Sequence, residues 1–124
     1  MSRMPSENFQ VNGRAGENGR VYILSVKGAI TYANSPALQE AVNATAAPGL
    51  ILDLGEVPSV DSMAIGALVR VFVTCNKTGR KLALVGLNLR IKNVLQLTGV
   101  DPLFDTYATV AEAESALSRS VASS

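Results

Sequence analysis

Asp61-Ser62 is the pair best placed to do chemistry. An apolar run over residues 50–54 passes through Gly55-Glu56-Val57-Pro58-Ser59-Val60 into a second apolar segment opening at Met63. A serine hydroxyl becomes a nucleophile only with a base to take its proton, and the chain contains no histidine. That removes the commonest general base and the commonest metal ligand together. A serine–lysine arrangement has no motif to support it. Two roles need no base: capping a helix, and displaying a hydroxyl where a partner can reach it. Asp61 suits the first, because its carboxylate can accept bonds from the first amides of a helix. Val60 before it and Ile65 after it have the spacing of a hydrophobic staple. Ser62 is then the first residue of a helix over 62–77, at the positive end of its dipole, where added negative charge is tolerated. An Asp or Ser in this position is commonly a cap and nothing more. A functional role requires a hydroxyl that a partner can reach.

Other chemistry is sparse. Asp53 ends an apolar strand and is somewhat like the phospho-acceptor of a response-regulator receiver domain. The strand that should supply such a domain's metal-binding acids reads Ser25-Val26-Lys27-Gly28, so Asp53 is better read as a strand-end residue bonded to backbone. The single cysteine, Cys75, can form no internal disulfide and reads as a small core hydrophobe in a reducing compartment. There is no G-x-x-x-x-G-K-[ST], no G-x-G-x-x-G, no C-x-x-C and no metal-ligand cluster. The chain is expected to be no enzyme and to need no cofactor and no metal.

The elements that must position Asp61-Ser62 follow from periodicity. Phe9-Gln10-Val11 reads as a short edge strand, followed by a turn at Gly13, Gly16, Asn18 and Gly19. Residues 21–26 are apolar on both faces and read as a covered strand. Ser35, or Asn34 in its place, opens a helix with Pro36 near its start and the stripe Leu38, Ala41, Val42, Thr45. Residues 50–54 read as a central strand. The helix after it packs through Ile65, Leu68, Val69 and Phe72 and ends at Thr78-Gly79. A strand over 82–87 follows, then a helix capped by Asn88 and closed by Gly99. A short strand over 103–107 precedes a last helix, opened by the capping-box spacing of Thr109 and Glu112 and carried by Ala113 and Leu117. The strands at 21–26, 50–54 and 82–85 should lie side by side. Strands alternating with helices imply a largely parallel sheet with an antiparallel or mixed edge. In such sheets the functional loops lie at the carboxyl ends of the strands. The loops after Val26 and Leu54 are the candidates, which puts residues 28–34 close to Ser62.

Length and composition bound the rest. A chain of 124 residues makes one domain with one core. Apolar residues make up 48% but aromatic ones only 5%, so the core is aliphatic. The net charge of +1, with no basic patch, argues against nucleic acid and against a membrane surface. No apolar run approaches a membrane span, and no apolar signal core stands at the N-terminus. The expectation is a soluble cytoplasmic protein: residues 1–8 flexible, 9–118 the domain, 119–124 a flexible tail.

Three stretches together resemble the STAS domain, the family of bacterial anti-sigma factor antagonists. The most specific is Leu50-Ile51-Leu52-Asp53-Leu54 followed by Val60-Asp61-Ser62-Met63-Ala64-Ile65-Gly66. It is similar to the family's apolar strand ending in Asp-Leu, then Asp-Ser-Ser/Thr-Gly-Leu-Gly. The others are Val26-Lys27-Gly28-Ala29-Ile30 and Val94-Leu95-Gln96-Leu97-Thr98-Gly99-Val100. The resemblance implies a single α/β domain: a central, mostly parallel mixed sheet of four to five strands with about four helices packed on it. It implies a binding protein, monomeric or weakly dimeric. Its unphosphorylated form would engage an anti-sigma factor kinase of ATPase-type fold and so release a sigma factor. Ser62 would be phosphorylated by that kinase, and a serine phosphatase would reset it. Asp61, Ser62, Met63, Thr31, Tyr32 and Asn34 would form the partner surface. A non-switching STAS scaffold, in a signalling assembly or a transporter-associated complex, is the alternative. The chain departs from the pattern in its partner-facing loops: Met63 replaces a common Ser or Thr, Ala64 a usual Gly, and Thr31 a common Asp.

Overall fold

Aliphatic side chains on both faces of successive strands can be buried only if both faces are covered. In the computed structural model, which describes residues 9–17 and 19–122, this is how the chain is arranged. Strands β1 (Gln10–Ala15), β2 (Val21–Lys27), β3 (Gly49–Glu56), β4 (Lys81–Val85) and β5 (Asp105–Tyr107) form one five-stranded sheet in that spatial order. β1 is antiparallel to β2, and the other pairings are parallel. Helices α1 (Ser35–Asn43), α2 (Ile65–Lys77) and α3 (Leu89–Leu97) cover one face, and α4 (Val110–Ala122) covers the other.

The register sets the two halves of the core. Leu24, Leu52 and Leu84 are aligned across β2, β3 and β4 and pack with Leu38 and Val42 of α1, Leu68 and Val71 of α2, and Ile91 and Leu95 of α3. Ile23, Ile51 and Ala83, one residue back, face Ala113 and Leu117 of α4. Burying one such leucine or isoleucine contributes about 1.5–3 kcal/mol, so β3, buried on both faces, anchors the molecule.

Several boundaries differ from the sequence reading. β1 runs through Gly13 rather than turning there, because the Tyr22 ring lies across that position: a Cβ at Gly13 would stand 2.5 Å from the Tyr22 hydroxyl oxygen. β4 stops at Val85, because Gly86 adopts φ +73° and passes so close to Gly55 that a Cβ there would lie 3.0 Å from its Cα. β5 begins at Asp105, after a short 3-10 turn over Asp101–Leu103. α4 continues to Ala122, so residues 119–122, read as tail, are helical; nothing there breaks a helix. Residues 1–8, 123 and 124, and Asn18 of the expected turn, lie outside the described residues. On α2 the buried stripe is Ile65, Leu68, Val71 and Cys75. Val69 and Phe72 flank it half-buried, and Phe72 meets Phe104 edge-on with ring centroids 5.9 Å apart.

Candidate functional site

β2 and β3 are parallel neighbours, so the loops leaving them emerge at one end of the sheet. They are stitched together by backbone bonds. Gly28 N donates to Glu56 O (3.1 Å), Ile30 N to Ser59 O (3.0 Å) and Asp61 N to Ile30 O (3.1 Å). Ile30 and Val60, both fully buried, form a parallel bridge. Beyond it the chain makes the same move twice. Residues 31–34 turn into α1, and residues 61–64 turn into α2.

Each turn is closed by its first side chain. Asp61 Oδ1 accepts from Ala64 N at 2.7 Å, and Thr31 Oγ1 accepts from Asn34 N at 3.3 Å. Asp61 therefore caps as its residue type suggests, but it caps a turn. Ala64 N is also bonded to Asp61 O, at 3.0 Å, and Ala64 O then receives Ala67 N and Leu68 N. The helix proper starts at Ile65, and Ser62 lies on the turn before it rather than at the first helical position. A helix dipole acts mainly within the terminal turn, so its pull on Ser62 is weaker than the sequence implied.

Asp61, Ser62 and Met63 are exposed, Met63 at 68%, and Tyr32 on the neighbouring turn is exposed at 67%. Two large exposed side chains therefore lie on the two turns that carry Thr31 and Asp61, one of them adjoining Ser62 in the chain. Thr31 is half-buried. Asn34 does not belong to this surface. It is only 8% exposed; its Oδ1 accepts from Thr31 N (2.8 Å) and its Nδ2 donates to Ala29 O (2.9 Å). It shapes the turn from inside. Nor does either expected residue cap α1 with its side chain, because Ser35 Oγ donates to Tyr32 O at 3.0 Å instead.

Sequence reading missed a second support. Asn88 caps α3 through Ile91 N at 2.8 Å. Its Nδ2 also donates to Val57 O (3.2 Å) and Pro58 O (3.0 Å), which ties α3 to the loop feeding Ser62. Leu89 beside it is 72% exposed. Leu89 falls off the apolar stripe of α3, which is the one signal that could have marked it. Asp53 Oδ1 accepts from Gly55 N (3.0 Å), the backbone role expected of it. Among the described residues no group of three or more potential ligands could hold a metal, and no helix is long and apolar enough to cross a membrane. The arrangement offers an exposed serine beside an exposed methionine. It can be docked against and can accept a group.

Comparison with known proteins follows this geometry. A family profile described as the STAS domain matches residues 14–113. A protein of Thermotoga neapolitana, whose name assigns it provisionally to the anti-sigma factor antagonists, is 34% identical over 64 residues, covering 52% of this chain and 57% of that protein. The match thus spans somewhat over half the length of that curated relative. A crystal structure of an anti-sigma factor antagonist from Mycobacterium paratuberculosis superimposes with a TM-score of 0.77 at 25% identity, covering 88% of this chain and 93% of that one. A murine anion transporter of solute carrier family 26 shares the fold, with a TM-score of 0.76 at 22% identity, over 91% of this chain and 23% of the transporter.

Proposed function

The chain belongs to the STAS-domain family, and on that premise we propose that it is an anti-sigma factor antagonist switched by phosphorylation of Ser62. The unphosphorylated chain binds an anti-sigma factor kinase of ATPase-type fold through Ser62, Asp61, Met63 and Tyr32 and thereby frees a sigma factor. The kinase transfers phosphate to Ser62, and a serine phosphatase removes it. The chain supplies a surface and an acceptor hydroxyl, and no catalysis. The observation that carries this reading is the exposed Ser62 on a turn closed by Asp61, followed by the exposed Met63, with the exposed Tyr32 on the neighbouring turn.

The physics of the switch lies at the interface. A phosphate brings close to two negative charges and strong acceptor oxygens. Ser62 stands outside the helix, so the dipole offers the dianion little, and Asp61 beside it repels. Neither influence is large enough to rearrange a fold anchored by β3. The dianion must instead be desolvated against a partner built around a neutral hydroxyl, and an interfacial charge left unpaired weakens binding.

Ser62→Asp should keep native circular dichroism and melting behaviour yet bind the cognate kinase at least about tenfold more weakly, a loss of about 1.4 kcal/mol. Ser62→Ala should bind and take no phosphate. Incubation with kinase and ATP, followed by mass spectrometry, locates the phosphate. Phosphate on another residue, or equal affinity of Ser62→Asp and the parent chain, would sink the switch and leave a STAS scaffold that binds constitutively.

A further inference from the structure

The two edges of the sheet are unlike. β5 is a three-residue strand. β1 is six residues long, and among the described residues no strand pairs with its outer side. It carries no proline and no lysine, the residues that commonly blunt such an edge.

The hydrogen-bond phase of β1 follows from its register. Ala15 stands opposite Tyr22, so Gly16 stands opposite Val21, and Gly16 N donates to Val21 O at 2.6 Å. Antiparallel pairs alternate between bonded and non-bonded. Arg14, Asn12 and Gln10 therefore spend their backbone groups on β2, while Val11, Gly13 and Ala15 direct both N–H and C=O outward. Those outward groups are a template for another strand.

We propose that the outer edge of β1 pairs antiparallel with β1 of a second copy, about a two-fold axis at Gly13, to join two sheets into one. Only in this register does every outward residue meet another. Val11 faces Ala15 of the second copy, Gly13 faces Gly13, and Ala15 faces Val11, so all their N–H and C=O groups are bonded. Side chains agree with it. On the α4 face Arg14 falls opposite Asn12 of the second copy and Gln10 opposite Gly16, with no like charges across the seam; Arg14 already donates to Ser25 Oγ at 3.3 Å. On the α1 face the axis passes through a residue without a side chain, whose place the Tyr22 ring of each copy occupies. A groove of about 400 Å³ between β1 and α1, lined by Val11, Tyr22, Ala41 and Ala44, opens beside this edge, and the second strand runs along its mouth. A self-complementary seam on an edge that is unpaired among the described residues names a second copy as the occupant. Because β1 lies two strands from β3, the dimer keeps both Ser62 turns open.

Sedimentation equilibrium from about 1 μM to about 1 mM should show a reversible monomer–dimer equilibrium in the parent chain. Ala15→Pro removes an outward N–H and no bond to β2, and should leave monomer only. Asn12→Arg sets arginines against each other across the axis at two symmetric places, and should weaken the dimer about tenfold. Adding Arg14→Asp to it should restore dimerisation by pairing Arg with Asp. A mixture of Asn12→Cys and Arg14→Cys chains should oxidise to the mixed disulfide in preference to either like pair. A parent chain monomeric throughout, or a dimer indifferent to Asn12→Arg and unable to form the mixed disulfide, overturns the proposal. If Ala15→Pro loses its circular dichroism, the charge and cysteine variants decide it.

Discussion

Asn34 shows how a residue near a binding surface can serve it without touching a partner. Its type and its place before Ser35-Pro36 suggest a helix cap or a contact, and both readings point outward. The side chain turns inward because two backbone groups, Thr31 N and Ala29 O, would otherwise go unpaired beside the Ile30–Val60 bridge. Such a choice depends on which strands become neighbours, so no local pattern announces it. Asp61 was legible for the opposite reason: its bond to Ala64 is made within its own turn. Asn34→Ala leaves a buried donor and a buried acceptor without the partners that satisfied them, at about 1–3 kcal/mol. In a domain of this size each kcal/mol lowers Tm by about 4 °C, so thermal unfolding reads the effect directly. Asn34→Asp keeps the acceptor for Thr31 N and loses the donor to Ala29 O. It also sets a buried carboxylate oxygen against that carbonyl, so it should melt below the parent, and an Asn34→Ala protein that melts with the parent would refute the role.

At the scale of elements, order and type were legible, and boundaries were not. β2, β3 and β4 are near-continuous aliphatic runs, and α2 has a clear period, so their existence, adjacency and central placement followed from the sequence. The ends were set by contacts between segments far apart in the chain. The Tyr22 ring over Gly13 lets β1 continue, and the approach of Gly86 to Gly55 ends β4. Asn88 belongs to this class, since its cap on α3 is local and its bonds to Val57 and Pro58 are not. Two helices therefore offer a controlled comparison. Thr109 Oγ1 accepts from Glu112 N at 3.1 Å and caps α4 alone. Thr109→Ala and Asn88→Ala should each cost about 1 kcal/mol through the lost cap. Only Asn88→Ala should also loosen the loop that leads to Ser62. Amide hydrogen exchange at Ile30 and Asp61, whose N–H groups bridge the two loops, should accelerate in Asn88→Ala and stay at the parent rate in Thr109→Ala. Equal rates in both would show that the tie from α3 does not hold the site.

The molecule as a whole carries one internal reporter of its integrity. Cys75 is 1% exposed, within the core cluster shared by α1, α2, α3 and the sheet. Burial pushes its thiol above the ordinary value of 9.0, and the nearby Arg80 guanidinium opposes that rise without cancelling it. Two consequences follow. A thiolate is the reactive form and the folded chain suppresses it, so alkylation needs an opening of the core and its rate tracks the population of opened chains. The second is a pH dependence whose sign is fixed. The folded state holds this proton more tightly than the unfolded state, so the unfolded chain binds fewer protons once pH passes its own thiol value. Stability from this group is complete below about 9.0 and declines as pH rises from there towards the raised folded value, with a slope of up to about 1.4 kcal/mol per pH unit. Lysines and tyrosines titrate in the same range, so the comparison is with Cys75→Ala. That variant loses packing at every pH, by about 1 kcal/mol for a small buried side chain. It also loses the thiol's contribution to the alkaline decline. Urea midpoints measured at pH 7.5 and pH 10 should therefore converge: parent well above variant at the lower pH, the two closer at the higher. A constant gap across that range would mean that the thiol ionises as easily inside the fold as outside it, which a residue on the buried stripe of α2 should not do.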